Sequence, residues 1–362
     1  MAVKSKGRLL KHFSLHRIAN TELRVVSDVE SGVIPFIEVE EEVIGKYARN
    51  PQWQQGIVTL FILKDLQPLL KHLSRAEALP PGGLAGLEHR PIVNVYDLKN
   101  PRACHVFINQ KAMEKEGYWG DREAVKGLLA HEHAHPLAEC ETTRSSRKLR
   151  VDLSPSLRAE ASPLRALARR ALKAEGLEAG FEGAKGWQDR INGLLRVLVE
   201  KLCLYAPREI FANDVAIQSD FTASLFHLDK KEMLKAGEGV RSRRILERKL
   251  QEEVPSAASL LLTIGDMKGY LDLALETASF YRQGKRAEAK ELEEMLFVKV
   301  MPHLEPGVAE TYEGLRDGYL RFSTQASPQE LAEFERSLLD ILAEPLRKRG
   351  LEPRYKLRVI PG

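Results

Sequence analysis

An α+β fold is predicted for this chain of 362 residues by three observations. Val- and Ile-rich runs cluster before residue 110, and apolar residues recur near a 3.6-residue spacing in most segments after residue 187. Pro, Gly and Asn turn signals separate the two kinds of segment. The expected layout is a small mixed sheet with a helix against it, followed by a mainly helical C-terminal region.

Residues 21–47 alternate, as in Leu23-Arg24-Val25-Val26 and Val33-Ile34-Pro35-Phe36-Ile37-Glu38-Val39, and predict two short strands joined near Ser31-Gly32. Ile57, Leu60, Phe61, Leu66, Leu69 and Leu70 follow helical spacing, which predicts a helix over 51–74. Pro80-Pro81-Gly82-Gly83 marks a loop. Strands are expected at 91–96 and 103–109, with turn residues Lys99 to Arg102 between them. After the loop at 117–120, Asp121 is placed to cap a helix running through Ala124, Leu128 and His131 to about His135. Residues 141–186, rich in Arg, Ser, Ala and Gly, predict an insertion with a loose start and one short helix near 162–176. Helices follow at 187–204 and 208–219, then at 240–252, 256–264, 268–283, 286–298, 305–322 and 328–349. A last strand is expected at 356–360. This layout divides a catalytic region into 1–140 and 187–228 around the insertion at 141–186, with a helical region over 229–362.

Apolar residues make up 43% of the chain, ample for a sizeable core, and the charged 29% nearly cancel at +4. Cys104, Cys140 and Cys203 are odd in number and match no CxxC spacing, so a disulfide framework is not expected and a reducing compartment fits. The first residues interrupt apolar positions with charge and predict no signal peptide. The most apolar stretch, Leu260 to Phe280, holds Asp266, Lys268, Asp272 and Glu276, which argues against a membrane span. A cytoplasmic location is therefore expected. The basic runs Arg144 to Arg150 and Arg241 to Arg244 lack interleaved aromatics and read as solvated faces rather than nucleic-acid sites.

The informative stretch is Gly127-Leu128-Leu129-Ala130-His131-Glu132-His133-Ala134-His135-Pro136. Residues four apart lie on one face of a helix, so the imidazoles of His131 and His135 can converge on one cation. Glu132 is offset around the helix and can reach a water on that cation without binding it. Two imidazoles and a carboxylate suit one zinc ion per chain, with a fourth position left for water. His133 points away from the ligand face and reads as a histidine outside the coordination sphere. Pro136 lacks an N–H, and its ring crowds the carbonyl of residue 132, so the helix is expected to stop or kink at His135.

The motif and its flanking layout resemble the zincin metallopeptidases. The resemblance covers residues 91 to 220 and implies hydrolysis of peptide bonds with Glu132 as general base. In the gluzincin branch a second helix supplies a Glu ligand, with an acidic or amide residue four places on that orients a ligand histidine. Glu209 with Asn213 resembles that arrangement, and Asp214 is a near alternative. Glu139 and Glu141 compete as third ligand, since the spacing from His131 to Glu141 imitates the metzincin layout. Glu209 is favoured because it opens its own helix, where the dipole favours a carboxylate.

The strand at 103–109 precedes the helix and is a candidate to pair with an extended peptide substrate. An electrophile for the oxyanion is sought among Tyr205, His227, Tyr281, His303 and Tyr312, with His227 named as the catalytic candidate. The expected partner is a peptide or protein substrate, and the C-terminal helices could wall the cleft or dock a protein. Alternatives are a non-peptidase zinc hydrolase and a regulatory protein that keeps the zincin fold.

Overall fold

The computed structural model describes residues 11–70, 89–97, 100–157 and 185–360. The chain divides into two compact units, Met1–Leu137 with Val215–Leu228, and Ala138–Asp214 with Asp229–Gly362. The fold is α+β, with a small mixed sheet in the first unit and mainly helices in the second. Among the described residues no helix is long and apolar enough to cross a membrane.

The first unit is built on a five-stranded sheet. Its strands are β1 (His12–Ile18), β2 (Thr21–Ser27), β3 (Ile57–Leu63), β4 (Ile92–Asp97) and β5 (Asn100–Asn109), arranged β1-β2-β3-β5-β4. β2, β3 and β5 run parallel, while β1 and β4 lie antiparallel on the two edges. Leu23, Val25, Val58, Leu60, Ile62, Cys104, Val106 and Ile108 are all fully buried along the three inner strands. Helices α1 (Ile34–Tyr47), α2 (Gln110–Lys115) and α3 (Arg122–Leu137) accompany the sheet.

Two expectations fail here for identifiable reasons. Residues 33–39 do not form a strand. Their apparent alternation is the start of α1, whose buried Phe36, Ile37, Glu40, Val43, Ile44 and Tyr47 keep helical spacing, with Pro35 in the first turn. Residues 57–63 are not helical. Ile-Val-Thr-Leu-Phe-Ile-Leu is an unbroken apolar run because β3 pairs on both sides with parallel neighbours. Residues 71–74 of that expected helix lie outside the described residues, as does the loop at 80–83.

The second unit holds α4 (Glu141–Ser146), α5 (Lys185–Val199), α8 (Pro255–Tyr270), α9 (Leu273–Arg282), α10 (Arg286–Lys299), α11 (Val308–Tyr319) and α12 (Pro328–Lys348). Helices α6 (Ala206–Ala216) and α7 (Thr222–Glu253) contribute residues to both units. Two small antiparallel pairs, β6 (Leu149–Leu153) with β9 (Tyr355–Val359) and β7 (Ser156–Leu157) with β8 (Leu351–Glu352), tie the chain after α12 to the segment after α4. The expected loose start of the insertion is thus ordered into α4, β6 and β7. Thr142 and Ser145 donate their hydroxyls to the carbonyls of Ser323 and Ala326 and anchor it. The short helix expected near 162–176 lies outside the described residues. The start of α12 carries a reciprocal cap, in which Ser327 and Glu330 bond each other's backbone N–H.

Candidate metal centre

Asp121 starts α3 by accepting the N–H of Ala124 at 3.1 Å. Ser224 donates to Glu123 in the first turn at 2.7 Å, and that hydroxyl holds the Glu123 carboxyl below its ordinary value. Near the other end, Tyr47 of α1 donates to the carbonyl of Ala130 at 2.7 Å. These contacts fix the rotation of α3, and with it the direction of every side chain in the motif. The rings of His131 and His135 meet edge to face across one turn, with centroids 4.7 Å apart and planes at 82°. His135 is buried and His131 half-buried.

α3 does not end at His135 but continues to Leu137, with Pro136 inside it. A helical residue 136 would normally donate its N–H to the carbonyl of Glu132, and proline has none to give. Asn94 of β4 fills that role, donating its side-chain amide to the Glu132 carbonyl at 3.1 Å. The backbone N–H of Asn94 also donates to the Glu132 carboxylate, at 3.3 Å. The general-base candidate is therefore tied at both its carbonyl and its carboxylate to one residue of an edge strand.

His133 is neither a ligand nor a surface residue. It is fully buried on the other side of α3, with Nδ1 2.9 Å from Gln55 Oε1 and Nε2 2.8 Å from Glu40 Oε1. The Cys104 thiol donates to the same Gln55 oxygen at 3.2 Å, and burial together with the Glu40 charge pushes that thiol far up. A buried polar group needs such partners, since leaving one unpaired costs about 1–3 kcal/mol. Glu40, Gln55 and His133 thus clamp the back of the helix whose front carries the ligand pair.

Glu209 lies in the first turn of α6. Ligand-capable atoms of His131, His135 and Glu209 all lie within 4.8 Å of one another, and among the described residues they are the one such group able to hold a metal ion. Asn213 is buried one turn after Glu209 on the same helix. Asp214 turns elsewhere. Arg282 donates to it from Nε at 2.9 Å, and burial outweighs that ion pair to raise the Asp214 carboxyl above its ordinary value. Glu139 is gripped by both terminal nitrogens of Arg147, and Glu141 pairs with Arg144 at 3.4 Å. Neither belongs to the metal-capable group.

His227 is not brought to this centre. Its Nε2 lies 3.0 Å from both carboxylate oxygens of Asp121, at the opposite end of α3. The ten residues from Asp121 to His131 span about 15 Å of helix. Tyr281 donates to Glu293, His303 accepts from Arg244, and Tyr312 is buried against Thr277. Tyr205 alone of the five named electrophiles stands one turn before Glu209, and it is exposed. Residues 103–109, expected as a substrate strand, belong to β5, an inner strand paired on both sides, and the edge strand in contact with Glu132 is β4.

Asn94, Glu40 and Gln55 escaped the sequence reading. The one available signal was Asn94 itself, the sole polar residue among Ile92, Val93 and Val95. No protein-family model matches this chain, and neither a curated protein nor a solved structure shows significant similarity to it.

Proposed function

We propose that the protein is a zinc-dependent metallopeptidase with zincin-type chemistry, closest in its ligand layout to the gluzincin branch. The observation that supports this reading is the approach of ligand-capable atoms of His131, His135 and Glu209 to within 4.8 Å of one another, with Glu132 directly following the first histidine on its helix. Two imidazoles and one carboxylate make a donor set suited to zinc with one position left open. A zinc ion held there would polarise the scissile carbonyl and lower the pKa of water to about 7. Glu132 takes the proton of the attacking water and passes it to the leaving amine. Asn94 orients Glu132 for that transfer. The outer side of β4 offers main-chain hydrogen bonds to an extended peptide, which replaces residues 103–109 in that role. The three free cysteines fit a reducing compartment.

Glu209→Gln is expected to lose zinc and turnover together, while Glu132→Gln keeps stoichiometric zinc and loses turnover. Metal analysis and a peptide-cleavage assay on the purified variants check both. Full zinc occupancy with full activity in Glu209→Gln would overturn the ligand set. Turnover of small amides with no cleavage in a peptide library would replace the peptidase reading with another zinc hydrolase.

A further inference from the structure

A second constellation lies on the opposite edge of the sheet and shares no residue with the metal centre. His12, Ser14 and His16 occupy alternate positions of β1 and therefore one face of the strand. Their side chains are linked in series. His12 Nε2 lies 3.0 Å from Ser14 Oγ, Ser14 Oγ lies 2.8 Å from His16 Nε2, and His16 Nδ1 lies 2.8 Å from Oε1 of Glu41 on α1.

The carboxylate gives this series a direction. It can only accept, so His16 presents its proton on Nδ1 and, in its neutral form, a lone pair on Nε2. A hydroxyl carries one proton, which Ser14 then donates to His16 Nε2 while it accepts the Nε2–H of His12. Nucleophile, base and orienting acid thus stand in hydrogen-bond reach in the order that activates a serine.

The backbone adds a donor. Glu22 gives its N–H to Gly56 at the start of β3, so Leu23 and Val25 turn theirs toward β1. Their partners His16 and Ser14 point inward in return, which leaves the N–H of Leu15 facing the outer edge of the sheet, where no strand pairs with β1 among the described residues. That N–H directly follows Ser14, and Leu15 is 61% exposed. A carbonyl oxygen approaching the edge meets it beside the nucleophile.

We propose that Ser14 is a nucleophilic serine that accepts acyl groups from small activated esters. Ser14 Oγ attacks the ester carbonyl and its proton passes to His16 Nε2. The C–O bond of the ester breaks, and the departing alcohol takes that proton. Water, deprotonated by His16, then attacks the Ser14 ester, releases the acid and restores the hydroxyl.

The full-length protein is treated with a biotinylated fluorophosphonate, and the adduct is located by peptide mass spectrometry. The expected result is an adduct on Ser14 that persists with chelator and in Glu132→Gln, and that is lost in Ser14→Ala. The labelling rate is expected to fall at least about 10²-fold in His16→Gln, the low end of a general-base contribution. Glu41→Gln, altered at a half-buried position of α1, is expected to label more slowly than wild type. Wild-type protein that shows no adduct at Ser14, or a His16→Gln protein that labels at the wild-type rate, would overturn the assignment.

Discussion

Proline at position 136 removes the N–H that would bond the Glu132 carbonyl, and Asn94 puts a side-chain N–H in its place. The two residues are therefore coupled, although neither is a candidate ligand. Asn94→Ala removes that side-chain donor from a half-buried carbonyl, at a cost of about 0.5–1.5 kcal/mol. The substitution alters none of the three ligand residues, so zinc binding is expected to persist. Loss of the tether is expected to lower kcat by about tenfold, the factor set by 1.4 kcal/mol of barrier. Adding Pro136→Ala restores an N–H inside the helix, and the double variant is expected to recover stability that the single variant loses. Thermal melting of the four proteins in the cycle tests the coupling. A double variant no more stable than Asn94→Ala would show that the carbonyl does not need a donor.

At the scale of elements, α3 must lie close to the chain at the start of α7. A Cβ at Gly127 would stand 2.7 Å from the carbonyl oxygen of Ser224 and 3.3 Å from Leu228 Cβ. Glycine to alanine within a helix ordinarily gains about 1 kcal/mol. Overpacking costs about 1–3 kcal/mol, and a backbone carbonyl cannot swing aside as a side-chain end can. Gly127→Ala is therefore expected to be destabilising, with a lower urea midpoint; an unchanged or higher midpoint would refute the close packing. The same contrast between local and non-local forces explains what was legible in the sequence. The pairing of His131 with His135 needs nothing but helical geometry, and Asp121 as a cap needs nothing but the first turn, so both could be read directly. The C-terminal helices were legible because each carries its own periodicity. α1 and β3 were exchanged in kind because short runs rich in Val, Ile, Leu and Phe fit either period, and the sheet neighbours that decide the matter lie far along the chain. Asn94, Glu40 and Gln55 act through contacts that exist only once the sheet is assembled, and no local pattern announces them.

At the scale of the whole molecule, opposite charges nearly cancel at +4, so the pH dependence of stability rests on individual buried groups rather than overall repulsion. Glu335 on α12 is the clearest of these. It is fully buried, neither carboxyl oxygen has a hydrogen-bond partner among the described residues, and burial raises its pKa from 4.5 to about 8. Cys203 and Tyr319 lie near it; both are held well above their ordinary values, chiefly by burial, so neither titrates in the same range. The folded chain keeps the Glu335 proton where the unfolded chain has lost it. Stability is therefore greatest below pH 4.5 as far as this group is concerned, falls as pH rises toward 8, and levels off above it. The slope for one such group is about 1.4 kcal/mol per pH unit. Glu335→Gln keeps the shape of the side chain and cannot ionise, so the wild-type protein should lose stability relative to the variant by that slope between about pH 5.5 and 7.5. Calorimetry of both proteins across that range, following the transition of the unit that contains α12, measures the difference directly, and other titrating groups cancel in it. A difference that stays constant with pH would mean that Glu335 is ionised or paired in the folded chain, and that the interior around Cys203 and Tyr319 is more polar than its side chains imply.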